Sequence, residues 1–309
     1  MLLLATLLSF SLATTPDVYQ KIPDLKHPRM CDWVQIQEFL KKGKREELRL
    51  LDQAIDQGVK LYDYRCRARR FRLIGKHFWD RPQFEIVPMG CGEEEKECCV
   101  ITYASFNQHY PEAVEKLRAQ LEKVGFRGHF IYRIGGWPDL EGGSLALAHV
   151  PYAFKPCFFQ EAKRLGYQNV LWLDCSMRPV RSLDEVFQQI ASQGYFLYPS
   201  GTVLAPVCSK QAIEAFGLTE EDARTISSIA AGVMGLNVTH PKGAEALEMW
   251  MNAARNGLGF FSPRPEQNAF SIIVHLLGMQ EREDARTLSW DKERLDEGVR
   301  FFIDYASVQ

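Results

Sequence analysis

From Cys98 onward, short apolar runs alternate with stretches in which apolar residues recur every three or four positions. Runs of the first kind read as buried strands and stretches of the second kind as amphipathic helices. CCVITYAS, 98–105, is the first such strand. Pro111 suits a first helical position, and Val114, Leu117, Leu121 and Val124 mark one face of the helix it opens. HFIYRI, 129–134, predicts a second strand, closed by Gly135 and Gly136. Pro156 opens a helix carrying Phe158, Phe159, Ala162 and Leu165, which stops at Gly166. NVLWLD, 169–174, is the third strong strand, and Ser182-Leu183-Asp184-Glu185 is a capping-box pattern for the next helix. YFLYPS (195–200) and GVMGLNV (232–238) predict further strands, while Pro241 and Pro265 stand near the starts of helices over 241–256 and 265–277. This alternation predicts an α/β fold with a mostly parallel central sheet flanked by helices. Ligands of such sheets bind beyond the carboxyl ends of strands, where Ser105 and Asp174 fall.

The pattern divides the chain into three. Residues 1–13, MLLLATLLSFSLA, are apolar and uncharged but shorter than the roughly 20 residues a bilayer span needs. Ser11-Leu12-Ala13 fits an export cleavage site, so a signal peptide and an exported or secretory-pathway protein are expected. The other reading is a buried N-terminal helix or short anchor. No other segment is apolar for long enough to span a membrane. Residues 14–97 read as a partly helical N-terminal extension in which Leu48, Leu51, Ile55 and Val59 line one helix face, ending in the polar turn Gly90–Glu97. Residues 98–309 form the α/β domain.

Charge narrows the function. A net charge of -2 with 25% charged residues lacks the basic footprint of a nucleic-acid binder, so no nucleic-acid partner is expected. The local run Arg65-Cys66-Arg67-Ala68-Arg69-Arg70 is the exception, readable as a solvated face or as a polyanion or membrane-surface contact. Of the eight cysteines, Cys157 and Cys175 fall in apolar segments as small hydrophobes. Cys31, Cys66, Cys91, Cys98, Cys99 and Cys208 could pair if the chain is exported, with connectivity left open. Their spacings match no zinc template.

The chemistry concentrates where the third strand ends, on Asp174, Cys175 and Ser176, with Arg178 and Arg181 just beyond. The order of strand, helix, strand, Lys-bearing helix start, LWLD-x-S, GVMGLNV and RPEQNAFS resembles the GT-A fold nucleotide-sugar glycosyltransferases over roughly 98–280. Their acidic motif, usually Asp-x-Asp, holds a divalent metal on the diphosphate of the donor. The resemblance implies a GT-A-like fold, a nucleotide-sugar donor, a glycan, protein or lipid acceptor, and Mn²⁺ or Mg²⁺. A hard cation on oxygen ligands neutralises the charge of a departing diphosphate. Here Asp174 stands for the first carboxylate and Ser176, a weaker neutral ligand, for the second. Lys155, Arg178 and Arg181 are candidates for the missing positive charge.

By the same resemblance, Thr102, Tyr103 and Ser105 border the nucleotide, with Tyr103 able to stack on the base. Glu266 and Gln267 stand beside donor and acceptor, where a carboxylate could act as general base. Gly232, Gly235 and Asn237 lie in the strand that lines the sugar pocket, and His275 is a conceivable late metal ligand. Each also has a plainer reading: an Asp capping a turn, a Lys paired with an acid, a Glu favoured by a helix dipole, a core or surface histidine. Asn237-Val238-Thr239 is a glycosylation sequon by pattern, in a strand-end setting that disfavours modification. Two functions stay open besides a transferase. One is a catalytically inactive glycosyltransferase-like binding or interaction protein, motivated by the lost second carboxylate. The other is a nucleotidyltransferase, which would carry a Gly-rich phosphate loop not found after the first strand.

Overall fold

The computed structural model describes residues 83–104, 109–134, 147, 150, 152–280, 288–289 and 298–304. The expected signal peptide, the amphipathic segment at 48–59, the basic run at 65–70 and Ser105 lie outside them.

Strands β1 (Gln83–Met89) and β2 (Cys98–Ala104) precede helix α1 (His109–Lys123) and strand β3 (Gly128–Ile134). Helix α2 (Phe154–Arg164) leads into β4 (Asn169–Leu173), followed by β5 (Met177–Pro179), α3 (Asp184–Gln193) and β6 (Tyr195–Phe196). Next come β7 (Pro199–Val203), the short α4 (Lys210–Glu214), β8 (Ser227–Ile229) and β9 (Val233–Asn237). Helices α5 (Pro241–Asn256) and α6 (Pro265–Leu276) and strands β10 (Leu288–Ser289) and β11 (Phe301–Ile303) complete the order.

The central sheet has six strands in the order β1-β3-β2-β4-β9-β6. β3, β2 and β4 are parallel neighbours, and β6, antiparallel to β9, shares their direction. β1 and β9 run against them, so the sheet is mostly parallel by strand direction, as the helix-strand alternation requires. β1 falls in the stretch assigned above to the N-terminal extension. It pairs with β3 along its whole length and forms the sheet edge. Its exposed apolar residues Phe84 and Ile86 do not give the buried-strand signal carried by β2 and β4.

Alternation of side chains across each strand builds two cores. Cys99, Ile101, Val170 and Trp172 face α2, α5 and α6, meeting Phe158, Phe159, Trp250 and Phe270. Val100, Ala104, Leu171 and Leu173 face α1 and α3, meeting Val114, Leu117, Val186 and Ile190. The YFLYPS segment does not form one strand. β6 joins the central sheet, whereas β7 leaves it to pair with β8 in a two-stranded ribbon over Leu204, Ile213 and Ile272. The helix expected to open at Pro156 starts at Phe154, two residues earlier, after Tyr152 adopts a left-handed φ of 62°. Among the described residues, no helix is long and apolar enough to cross a membrane.

Candidate functional site

β4 ends on Leu173, and Asp174 emerges at its carboxyl edge. Residues two apart on a strand share a face, so Asp174 projects on the same side as Trp172, toward α2 and α6. The Trp172 indole N–H donates to Asp174 Oδ1 at 2.7 Å. The Asp174 backbone N–H donates to the Gly232 carbonyl at 2.8 Å, fixing the strand end against the turn before β9. A Cβ on Gly232 would come within 3.4 Å of Asp174 Oδ2 and 2.3 Å of Met177 Cε. Glycine there lets the carboxylate lie against main chain.

Lys155, in the first turn of α2, ties three elements together. Its ammonium lies 3.1 Å from Asp174 Oδ1 and 3.1 Å from Glu266 Oε1. It also donates to the Ala231 carbonyl at 2.8 Å. An ammonium has three protons, and three acceptors surround this one. Its side chain is 3% exposed and the Glu266 side chain 8%, whereas Asp174 remains 40% exposed. The nitrogen also sits 5.3 Å from the centre of the Trp172 ring. Burial alone lowers the pKa of this ammonium, but Asp174 and then Glu266 outweigh burial and raise it above the usual lysine value. The lysine is therefore charged at every physiological pH. One cation against two acids leaves the cluster with a formal charge of minus one.

Glu266 reaches the lysine because Pro265 starts α6 and puts the carboxylate in the first helical turn, where the helix dipole favours it. Its neighbour Gln267 turns aside, donating from Nε2 to Ser228 Oγ at 3.0 Å. Tyr103, on the same sheet face as Trp172, is half-buried against Phe154 and Phe158 at ring separations of 5.0 and 5.5 Å. Phe154 in turn packs 5.9 Å from Trp172. Thus Lys155, Asp174, Glu266 and Tyr103 border one region at the carboxyl edge of β2 and β4.

The other candidates go elsewhere. Thr102 is buried and donates from Oγ1 to the Leu173 carbonyl at 2.6 Å, locking β2 to β4. Arg178 is buried and spends its guanidinium on the Cys175 and Met177 carbonyls, at 2.7 and 2.8 Å, and on Asp304 at 3.4 Å. Arg181 donates from Nε to the Val299 carbonyl at 3.0 Å. Both arginines thus hold the C-terminal segment. The turn after Asp174 reverses the side-chain direction, sending Met177 into the α1/α3 core. Ser176 lies half-exposed in that turn, and its carbonyl accepts from the Asp304 N–H at 2.9 Å. Cys175 is buried, and burial first and Asp174 second push its thiol up to about 12, so it stays protonated and inert.

Gly235 serves helix packing: a Cβ there would lie 2.4 Å from Ile190 of α3. Asn237 accepts from the Thr239 N–H, the Thr239 hydroxyl and the His240 N–H, an Asx turn that occupies the sequon side chain. His275 is exposed in the last turn of α6, roughly 13 Å along the helix axis from Glu266. Sequence reasoning missed Trp172 and the Ala231 carbonyl as site members. The two-residue spacing of Trp172 and Asp174 carried the first, and nothing local carried the second.

A divalent cation fits this donor set only in part. Among the described residues, no group of three or more His, Cys, Asp or Glu side chains could hold a metal ion. Asp174 Oδ1 is taken by indole and ammonium, leaving Oδ2 with the Ser176 hydroxyl nearby in sequence. Mg²⁺-like ions are commonly held by one or two carboxylates, with substrate phosphates and waters completing the shell. That mode suits a single carboxylate oxygen.

No protein-family model matches the chain. No curated protein matches it either. Among solved structures it is similar to mouse xyloside xylosyltransferase 1 in the apo form, at 11% identity and a TM-score of 0.40, over 67% of this chain and 97% of that chain. A likeness that low carries no functional weight.

Proposed function

We propose that this chain is a glycosyltransferase that moves a sugar from a nucleotide-sugar donor to the hydroxyl of a glycan, protein or lipid acceptor. One observation carries the reading. A buried ammonium clamps two carboxylates at the carboxyl edge of a parallel sheet, and only one of them, Asp174, opens to solvent.

In the transfer, the bond from the anomeric carbon to the diphosphate oxygen breaks, a bond to the acceptor oxygen forms, and the acceptor proton must leave. Asp174 meets the donor, accepting its hydroxyls, and together with the Ser176 hydroxyl it would be the residue to hold Mn²⁺ or Mg²⁺. Such a cation would neutralise the negative charge that grows on the departing diphosphate. Lys155 keeps Asp174 and Glu266 in fixed orientation, which spares the reorganisation that a solvated carboxylate would undergo at the moment of reaction. Glu266, buried with its Oε1 anchored on the ammonium, holds the clamp in place, and the acceptor proton passes to the departing diphosphate oxygen. Tyr103 offers a ring face to the nucleobase at the edge of an aromatic cluster.

The test is calorimetric titration of nucleoside diphosphates with and without Mn²⁺. Wild type is expected to bind a nucleoside diphosphate in a metal-dependent way, and Asp174→Ala to lose that binding while keeping its fold, because the side chain is 40% exposed. Wild type that binds no nucleoside diphosphate with or without Mn²⁺ sinks the reading. A second reading is a glycosyltransferase-like binding protein without turnover, favoured by the commitment of all three ammonium protons to internal acceptors. Slow donor hydrolysis in a nucleotide-sugar panel separates the two.

A further inference from the structure

We infer that the apolar face of β1 is a docking surface for this chain's own amphipathic segment at 48–59, seated through Leu48, Leu51, Ile55 and Val59. β1 is the edge of the central sheet, with β3 as its strand neighbour among the described residues. The register sets Phe84 beside Arg133, Ile86 beside Ile131 and Pro88 beside His129. Ile131 belongs to the core packed on α2, so the three β1 side chains continue that sheet face past the helices that cover it. All three are exposed, Phe84 at 37% and Ile86 at 39%. Phe84 is also held in place. The Arg133 guanidinium lies 4.1 Å from its ring centre and is itself paired with the buried Glu161. One face of the ring rests on a fixed cation, and the other is left for a partner.

An apolar edge strand left open is an aggregation hazard, which folds relieve by laying a helix or loop over it. The chain carries a matching element just upstream. Residues 1–82 run directly into Gln83, the first residue of β1. Twelve residues in helical form span about 18 Å, against about 13 Å for the strand from Phe84 to Pro88. Residues 60–82 can reach roughly 80 Å when extended, so the link does not limit the docking. A tether of this kind holds the segment at an effective concentration on the order of millimolar, well above what a second copy reaches in dilute solution. A second copy is also the poorer fit by geometry. Pairing edge to edge needs the main-chain donors of β1, where Pro88 has none, and it would leave the Phe84, Ile86 and Pro88 face open. Phe84, Arg133 and Tyr103 are neighbours across β1, β3 and β2. The docked segment therefore ends about 10 Å, two strand spacings, from Tyr103 and flanks that side of the candidate site.

The experiment places a photo-crosslinker on the strand in the full chain, as Phe84→p-benzoylphenylalanine and separately as Ile86→p-benzoylphenylalanine. After irradiation, the crosslinked peptides are mapped by mass spectrometry and the products sized on a denaturing gel. Capture is expected within one chain, on residues 48–59. Adding Leu51→Asp and Ile55→Asp together should cut that capture at least about tenfold, because both place a charge on the docking face. Capture of a second copy, seen as a band at twice the chain mass, overturns the inference. So does capture elsewhere in the chain, no capture at either position, or capture that the two aspartates leave unchanged. If the crosslinker variants do not accumulate as folded protein, hydrogen exchange decides. Amides of 48–59 must exchange at least about tenfold more slowly in wild type than in Ile86→Asp, and equal rates overturn the inference.

Discussion

Two buried cations flank Asp174 in the chain, and they do opposite work. Lys155 and Arg178 are 2% and 7% exposed. Lys155 gives its protons to two acids from different places in the fold, the turn just after β4 and the first turn of α6, on the face where the sheet opens. Arg178 gives its protons to carbonyls of the turn it belongs to and to Asp304 beside β11. Burial lowers the pKa of both groups. Two close acids reverse the effect at Lys155, whereas one partly exposed acid does not at Arg178. The lesson is that a buried cation acquires a role from its acceptors. Paired with side-chain acids at a strand end, it sets the charge of a ligand region. Paired with main-chain carbonyls, it closes a turn.

The largest effect that sharpens this contrast is expected for Lys155→Met. Removing one partner of a buried ionic group strands the others, here two acids facing each other, and costs about 3–5 kcal/mol. Urea denaturation checks it, alongside loss of metal-dependent nucleotide binding. The pH dependence has a definite sign. A raised folded-state pKa gives stability that is complete below the ordinary lysine value of about 10.4 and is lost only as pH rises through the folded value. The stability gap between wild type and Lys155→Met should therefore be flat between pH 6 and pH 9 as far as the lysine is concerned, and narrow only at strongly alkaline pH. A gap that narrows near neutral pH would mean the ammonium is not held as described.

Arg178→Leu is expected to come next, at about 1.5–3 kcal/mol, the range for hydrogen bonds to a charged group. Nucleoside diphosphate binding should stay within about twofold of wild type, because the guanidinium points to the C-terminal strand. A loss of nucleotide binding as complete as that of Lys155→Met would erase the contrast and return Arg178 to the site.

The two cations also mark how far the sequence could be read. The α/β alternation was legible because β2 and β4 are buried on both faces and so appear as unbroken apolar runs. β1 was not, since an edge strand with Phe84 and Ile86 exposed carries no such run. Asp174 was legible from its place at the end of NVLWL, and Lys155 from its place before Pro156. Their meeting with Glu266 was not, because 111 positions of chain separate Lys155 from Glu266 in the numbering and only the packing of α2 and α6 on one sheet face brings them together. Arg178 and Arg181 looked equivalent to Lys155 by charge and proximity. The turn formed by the Met177 N–H donating to the Asp174 carbonyl at 2.7 Å sends them the other way, and nothing in the residue types announces that reversal. Thr102 was misleading for a related reason: a polar residue near a strand end reads as a ligand contact, yet its hydroxyl closes a buried cross-strand bond.

The smallest effect belongs to Arg181→Ala, and it tests whether the two regions are independent. Arg181 is an exposed residue whose Nε donates to the Val299 carbonyl at 3.0 Å. Water can replace that donor at an exposed site, so the expected loss is within about 0.5 kcal/mol, with nucleotide binding unchanged. Its value lies in the double variant with Lys155→Met. The C-terminal segment is also held by the Val180 N–H donating to the Arg300 carbonyl at 2.8 Å, whereas the acceptors around the Lys155 ammonium are Asp174, Glu266 and the Ala231 carbonyl. Mutations without shared partners add to within about 0.5 kcal/mol. A larger coupling, measured by the same urea titrations, would mean that the attachment of the C-terminal strand and the clamp at Asp174 respond as one unit. In that case the turn between them, not the distance in the fold, governs how the two cations divide their work.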